Sequence, residues 1–165
     1  EGEDVIVECG IADRPGGRAA FADGEVSQMP REGSAQGRIV VDGPMAHLGG
    51  GEVFTLTVAA GRVLTVDGEG ARAEGLRGIL RSVPFADNVA EVGIGLNPAC
   101  RRNGDFEEEK KARGLVHVAL GDNLFYGGTV RCGVHMDMVL YRPTVWLDGE
   151  AVVQQGRVVE PRKPR

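Results

Sequence analysis

Residues 89–96 have the sequence VAEVGIGL, in which apolar side chains alternate with acidic or small residues. Successive side chains of a β-strand point to opposite faces, so one face of this strand is predicted to pack onto the core. The opposite face carries Glu91, and Gly93 and Gly95 leave space beside its carboxylate. The predicted core face consists of Ala90, Val92, Ile94 and Leu96.

Two further stretches combine an apolar face with ionisable residues on the other face. Residues 115–120 (LVHVAL) contain His117, and residues 134–140 (VHMDMVL) place His135 and Asp137 two positions apart on one face. If the apolar faces share one core, these side chains and Glu91 converge in one cluster. Imidazole and carboxylate groups are donors for Zn, Mn, Fe or Co, so the pattern favours a metal site. Alternatively, the polar positions only mark the exposed face of half-buried strands.

The sequence of the rest of the chain predicts short strands and one helix. Glycine accounts for 26 of 165 residues, which is typical of many tight turns. Apolar side chains recur at helical spacing in residues 72–83 and Pro84 follows, which predicts one amphipathic helix. The sequence therefore predicts an α+β fold, mainly antiparallel β with one substantial helix. Residues 1–159 are expected to form a single metal-binding catalytic domain, and residues 160–165 a polar tail.

Composition and charge exclude several classes of protein. The chain has 19 basic and 24 acidic residues and a net charge of −5, which argues against a nucleic-acid partner. No apolar stretch approaches the roughly 18 residues of a transmembrane helix, so no membrane partner is expected. Three scattered cysteines fit reduced thiols rather than a disulfide framework, and a cytoplasmic location is predicted.

Two other features were interpreted as structural only. His47 lies in a glycine-rich loop without patterned neighbours, so it is predicted to be a surface residue. The charged run of residues 105–111 is predicted to be the solvated face of a short helix or turn.

Several motifs, in a fixed order, resemble those of a group of metal-dependent aminopeptidases. This group is the thermophilic metalloprotease family, which includes aminopeptidases T and S. The resemblance covers roughly residues 20–155, and one of its motifs, residues 88–98 (NVAEVGIGLNP), contains the strand described first. The other motifs are residues 24–30 (GEVSQMP), 32–37 (EGSAQG), 116–123 (VHVALGDN), 135–137 (HMD) and 143–149 (PTVWLDG).

The resemblance implies an aminopeptidase-T-like C-terminal domain, the metal-binding half of a longer architecture. It implies a two-metal centre holding Zn, Co or Mn, which activates a water to remove N-terminal residues from a peptide substrate. It also implies a homodimer in the full-length form. Glu91 and Tyr126 are the implied catalytic residues. The implied metal ligands are Glu25, Glu91, His117, His135 and Asp137.

The assignment of Glu25 as a metal ligand rests almost entirely on the resemblance, because the residues around it show no clear alternation of apolar and polar side chains. Glu52 lies in the sequence GEVFT, which begins with the same three letters as the motif GEVSQMP that contains Glu25. Because Glu52 belongs to a later predicted hairpin, Glu25 is preferred as the ligand.

The same motifs also resemble relatives of 2,5-dihydroxypyridine dioxygenase, a ring-cleaving enzyme. This alternative implies a single Fe(II) held by His117, His135 and Asp137, with open positions for O₂ and a catechol-like substrate. A third possibility is an inactive isolated domain. The number of metal ions per chain separates the first two readings.

Overall fold

The computed structural model describes residues 6–8 and 23–160, which form short strands and one helix of 12 residues. The helices are α1 (Ala71–Ser82) and the single turn α2 (Phe106–Glu109), and a 3₁₀ turn spans Leu124–Tyr126. The strands are β1 (Ile6–Glu8), β2 (Glu25–Gln28), β3 (Gly37–Val41), β4 (Phe54–Ala59), β5 (Arg62–Asp67), β6 (Val89–Gly95), β7 (Val116–Gly121), β8 (His135–Leu140), β9 (Val145–Leu147), β10 (Glu150–Gln154) and β11 (Arg157–Val158).

A five-stranded sheet organises the molecule, with the strand order β1-β2-β6-β7-β8 and antiparallel pairing throughout. The register places Gly93 of β6 opposite His117 of β7, and Ala119 of β7 opposite Asp137 of β8. Small residues therefore lie beside large polar ones on one face of the sheet. This pairing brings residues that are far apart in sequence onto a common surface.

The main hydrophobic core lies between the other face of this sheet and a second sheet, ordered β3-β4-β5, and α1 packs against this core beside β5. Leu76 of α1 is fully buried there, and the Arg77 guanidinium donates hydrogen bonds to the Val66 and Gly68 carbonyls of the β5 end. The core side chains include Phe54, Leu56, Val118, Leu120, Met136 and Met138. The predicted helix and the predicted apolar faces of β7 and β8 are confirmed.

The predicted core face of β6 is wrong at three of its four positions, since Ile94 is only partly buried and, like Val92, lines a surface groove. Val92 and Leu96 are each 37% exposed, whereas Glu91 on the opposite face is buried. The β3-β4-β5 sheet does not extend over this end of β6, so the apolar face opens into a groove of about 520 Å³ beside Val145 and Leu147. A register shift between Val89 and Glu91 also breaks the alternation at the start of the strand.

The predicted fold class is confirmed: the described residues are mainly antiparallel β with one substantial helix. The division into a domain of residues 1–159 and a tail stays a prediction, and residues 161–165 lie outside the described residues. Among the described helices, none has the length and hydropathy that crossing a membrane requires.

Candidate metal centre

Four neighbouring strands present ionisable side chains on the same face of the large sheet. Glu25 comes from β2, Glu91 from β6, His117 from β7, and both His135 and Asp137 from β8. All except His135 are buried. The structure therefore brings together the five residues that the sequence suggested as metal ligands. The stretch around Glu25 carries no clear periodic signal, because the buried positions of β2 are polar, which inverts the usual alternation.

Glu91 is at the centre of this cluster. Its Oε1 lies 3.0 Å from His117 Nε2, and its Oε2 lies 2.9 Å from His135 Nε2. One carboxylate thus joins two imidazoles, and the remaining carboxylates flank them. Asp137 Oδ1 is 3.6 Å from His135 Nε2, and Glu25 Oε2 is 3.8 Å from His117 Nε2.

The five side chains form two overlapping sets of donors, each compact enough for one metal ion. In each set the donor atoms all lie within 4.8 Å of one another. We name them the inner subsite (Glu25, Glu91 and His117) and the outer subsite (Glu91, His135 and Asp137). Glu91 belongs to both. The inner subsite is fully buried, whereas the outer subsite reaches the surface through His135.

The surrounding backbone orients the two imidazoles. A Cβ at Gly93 would lie 2.0 Å from Cε1 of His117, so only glycine admits the ring at this position. His135 Nδ1 donates a hydrogen bond to the Asp122 carbonyl at 2.7 Å, which directs Nε2 toward the cluster. Such a second hydrogen bond is typical of metal-binding histidines.

An unsatisfied oxygen supports a cation at the outer subsite. Asp137 Oδ1 is buried and accepts no hydrogen bond from any part of the chain that the structure describes. A buried carboxylate oxygen without a hydrogen-bond donor is costly unless a cation compensates it; protonated His135, 3.6 Å away, does so without metal, and a bound metal ion would take over this role. The residues present therefore fit a metal ion chemically as well as geometrically.

The charges of the cluster are strongly coupled. Burial alone would raise the pKa of Glu91, but His117 and His135 outweigh it and hold that pKa far below its usual range. Burial would lower the pKa of His135, whereas Asp137 and Glu91 raise it to about 10. The pKa of His117 is also raised, because Glu91 outweighs burial. Without metal, His135 is therefore protonated near neutral pH, and a metal ion that binds it must displace that proton.

Two lysines also point into the cluster. Lys111 Nζ lies 3.3 Å from Glu25 Oε1, and Lys110 Nζ lies 3.1 Å from Asp137 Oδ2. The predicted solvated face of residues 105–111 is therefore wrong at its end, because the chain after α2 turns back against β6. Nothing in the local sequence indicates this, since a surface helix has the same pattern of charges.

A cavity of about 650 Å³ opens onto the cluster. Phe106, Phe125 and Tyr126 contribute aromatic walls, and the Tyr126 ring stacks on His135 with centroids 6.1 Å apart. His47 is exposed as predicted but also lines this cavity, a position that its loop sequence did not indicate.

Glu52, the alternative to Glu25, is exposed beside Gly70 and Arg72 and does not line the cavity. The preference for Glu25 as the residue nearest the cluster is consistent with this placement.

Comparison with known proteins points to one family. The profile of the 2,5-dihydroxypyridine 5,6-dioxygenase (NicX) family matches residues 1–160. A curated 2,5-dihydroxypyridine 5,6-dioxygenase from Pseudomonas putida is 28% identical over 177 residues, covering 98% of this chain and 50% of that protein. The solved structure of 2,5-dihydroxypyridine dioxygenase from P. putida KT2440 superposes with a TM-score of 0.83 at 28% identity, covering 98% and 51% of the two chains. This chain thus spans about half the length of these relatives.

A further similarity concerns the fold alone. AmpT from Thermus thermophilus has a TM-score of 0.60 at 22% identity, covering 88% of this chain and 42% of that one. The predicted similarity to aminopeptidase T is therefore confirmed for the fold.

The prediction of a peptide-cleaving hydrolase is wrong, because the family profile and the curated relative are both dioxygenases. The shared motifs build the sheet and present imidazoles and carboxylates, and that framework does not specify the reaction.

Proposed function

Because this chain belongs to the 2,5-dihydroxypyridine 5,6-dioxygenase (NicX) family, we propose that it carries the metal centre of a ring-cleaving dioxygenase. The substrate class is a dihydroxylated aromatic ring, as the names of the relatives state. The observation that supports this most directly is the buried cluster of two imidazoles and adjacent carboxylates at the base of a cavity with aromatic walls.

The proposed metal is one ferrous ion, with His117, His135 and Asp137 as its ligands. Two histidines and one carboxylate are the donor set of many non-heme iron oxygenases, in which the remaining positions stay open. When bound, such an ion supplies the redox chemistry that lets O₂ react with an aromatic ring. His117 comes from the inner subsite and His135 and Asp137 from the outer subsite, and Glu91 lies between the two rings.

The walls of the cavity suit a flat ring with polar substituents. Phe106, Phe125 and Tyr126 offer aromatic surfaces against which such a ring can stack. Burial, and secondarily the charge of Glu91, raises the pKa of Tyr126, so its hydroxyl stays protonated. The same hydroxyl hydrogen-bonds to Glu91, so it can donate to a substrate oxygen that displaces this carboxylate.

Oxygen uptake tests this proposal. The purified chain, loaded anaerobically with Fe(II), is mixed with 2,5-dihydroxypyridine, and O₂ is followed with an electrode while the absorbance of the ring is recorded. We expect one O₂ consumed per ring lost, and both oxygen atoms of ¹⁸O₂ in the product.

The controls are two Asp→Asn variants. Asp137→Asn should abolish uptake, whereas Asp148→Asn, in an exposed turn, should leave it unchanged. Iron-loaded protein that neither binds the pyridine nor consumes O₂ would contradict the proposal.

A further inference from the structure

The inner subsite already contains a positive charge that belongs to the protein. Lys111 Nζ lies 3.3 Å from Glu25 Oε1, and the side chains of Lys111 and Glu25 are only 1% and 2% exposed. Glu25 is one of the three donors of that subsite. The ammonium group therefore approaches the same carboxylate that a metal ion in the inner subsite would need.

Lys111 is held in this position by its own backbone. Its carbonyl accepts a hydrogen bond from the Asn97 amide at 2.9 Å, and its amide donates to the Glu108 carbonyl at 3.2 Å. The following residue packs directly on β6, since a Cβ at Gly95 would lie 2.2 Å from the Ala112 carbonyl oxygen. Because its backbone is fixed and its side chain is almost fully buried, Lys111 is held beside Glu25 at the inner end of the cavity.

Lys110, at the outer subsite, differs in this respect. Its side chain is 14% exposed and lies 3.4 Å from Glu107 as well as 3.1 Å from Asp137. Glu107 is itself 56% exposed, so Lys110 can move toward solvent and keep an ionic partner. A metal ion can therefore displace Lys110 from Asp137 at little cost, which is not true of Lys111 and Glu25.

The balance of charge favours a single ion. Among the described residues, the three carboxylates of the cluster are opposed by two ammonium groups, which together carry the charge of one divalent cation. With neutral imidazoles, one divalent ion leaves the cluster with a single excess positive charge. A second ion would add two more in a buried site, where like charges repel strongly.

We propose that the Lys111 ammonium takes the place of a second metal ion in the inner subsite and limits this centre to one ion per chain. Lys111 is a positioning residue in this view: it neutralises the charge of Glu25 through Oε1 and so weakens Oε2, the oxygen nearer His117, as a donor to a second ion. The inference concerns the number of ions and does not depend on which reaction the centre catalyses.

Metal stoichiometry measured with Mn²⁺ tests this proposal. Calorimetric titration and elemental analysis of the wild type should give one ion per chain. Lys111→Met leaves Glu25 without its ammonium partner and should raise the stoichiometry to two. Lys110→Met, the matched change at the outer subsite, should leave it at one.

The double variant Glu25→Gln/Lys111→Met keeps the test decisive if the single variant does not fold. It removes both charges of the pair, so it should fold, bind one Mn²⁺, and keep its Kd within about threefold of the wild type. A tenfold or greater loss of affinity would show that Glu25 is a ligand of the resident ion and would overturn the proposal. Two ions bound to the wild type, or one ion bound to folded Lys111→Met, would overturn it as well.

Discussion

Gly93 shows how a single residue controls the metal centre. It faces His117 across the β6–β7 pair, and the imidazole ring occupies the space of the missing side chain. We expect Gly93→Ala to displace the ring, to destabilise the fold by about 1–3 kcal/mol through overpacking, and to weaken metal binding at least tenfold. Urea denaturation without metal and a metal titration measure the two effects separately.

Gly78→Ala is the matched control for that change. Gly78 lies within α1, and a Cβ there would meet no atom within 4 Å. Since alanine favours helix over glycine by about 1 kcal/mol, this variant should be as stable as the wild type or more so, with unchanged metal affinity. Equal metal affinity in the Gly93→Ala variant would mean that the His117 ring is not required at its observed position.

The protonation of His135 predicts how the metal-free protein responds to pH. Its folded pKa of about 10 exceeds the unfolded value of about 6.5. Its protonated form therefore stabilises the fold fully below about pH 6.5, and this contribution is lost as pH rises toward 10. With chelator present, the free energy of unfolding should fall across that range.

Two histidine variants test whether His135 causes this fall in the free energy of unfolding with pH. His135→Asn should flatten the pH dependence, whereas His47→Asn, at an exposed position, should preserve it. Metal affinity should rise over the same range, since the ion competes with the proton. Unfolding free energy that stays constant between pH 6.5 and 10 in the wild type is the outcome that excludes this account.

At the scale of elements, α1 supports the fold without contributing to the metal centre. Leu76 is fully buried between α1 and the β3-β4-β5 sheet. Leu76→Ala should lower the free energy of unfolding by about 2–5 kcal/mol through loss of burial and the cavity left behind. Folded protein should keep its metal affinity, because α1 contributes no residue to the cluster or to the cavity beside it.

Leu64→Ala provides the comparison on the same sheet. Leu64 of β5 is 63% exposed, so its removal should change stability by no more than about 0.5 kcal/mol. Chemical denaturation of both variants measures the difference. If the two leucines had the same effect, the assignment of the core to the α1 side of the sheet would be wrong.

For the whole molecule, metal binding and folding are linked. The cluster forms only when four strands pair, so an ion bound there stabilises the folded state by mass action. At an ion concentration about 100 times Kd, the gain should be about 2.7 kcal/mol, visible as a rise in Tm. Asp137→Asn should gain little, because it loses an anionic oxygen donor.

Asp148→Asn again provides the control, since its side chain is in an exposed turn between β9 and β10. It should show the same metal-induced rise in Tm as the wild type. Identical rises in the Asp137 and Asp148 variants would remove Asp137 from the set of ligands.

Local periodicity is sufficient to predict much of this molecule. The alternation in β7 and β8, the helical spacing in α1, and the polar positions Glu91, His117, His135 and Asp137 are all visible in short stretches of sequence. These properties depend on neighbouring residues only. The motifs of the resemblance added Glu25 and the aminopeptidase T fold, but they mark the framework of the centre and not its reaction, so the hydrolase that they favoured is wrong.

The remaining features depend on contacts between distant parts of the chain. Val92 is exposed because, within residues 6–8 and 23–160, no layer covers that part of β6, and Lys111 is buried because the chain after α2 folds back onto Gly95. Neither fact has a signature in the adjacent residues, since a strand or a charged turn looks the same whether or not another element covers it. The tertiary structure alone places an ammonium group beside Glu25, and the charge of that group decides how many metal ions we expect the cluster to hold.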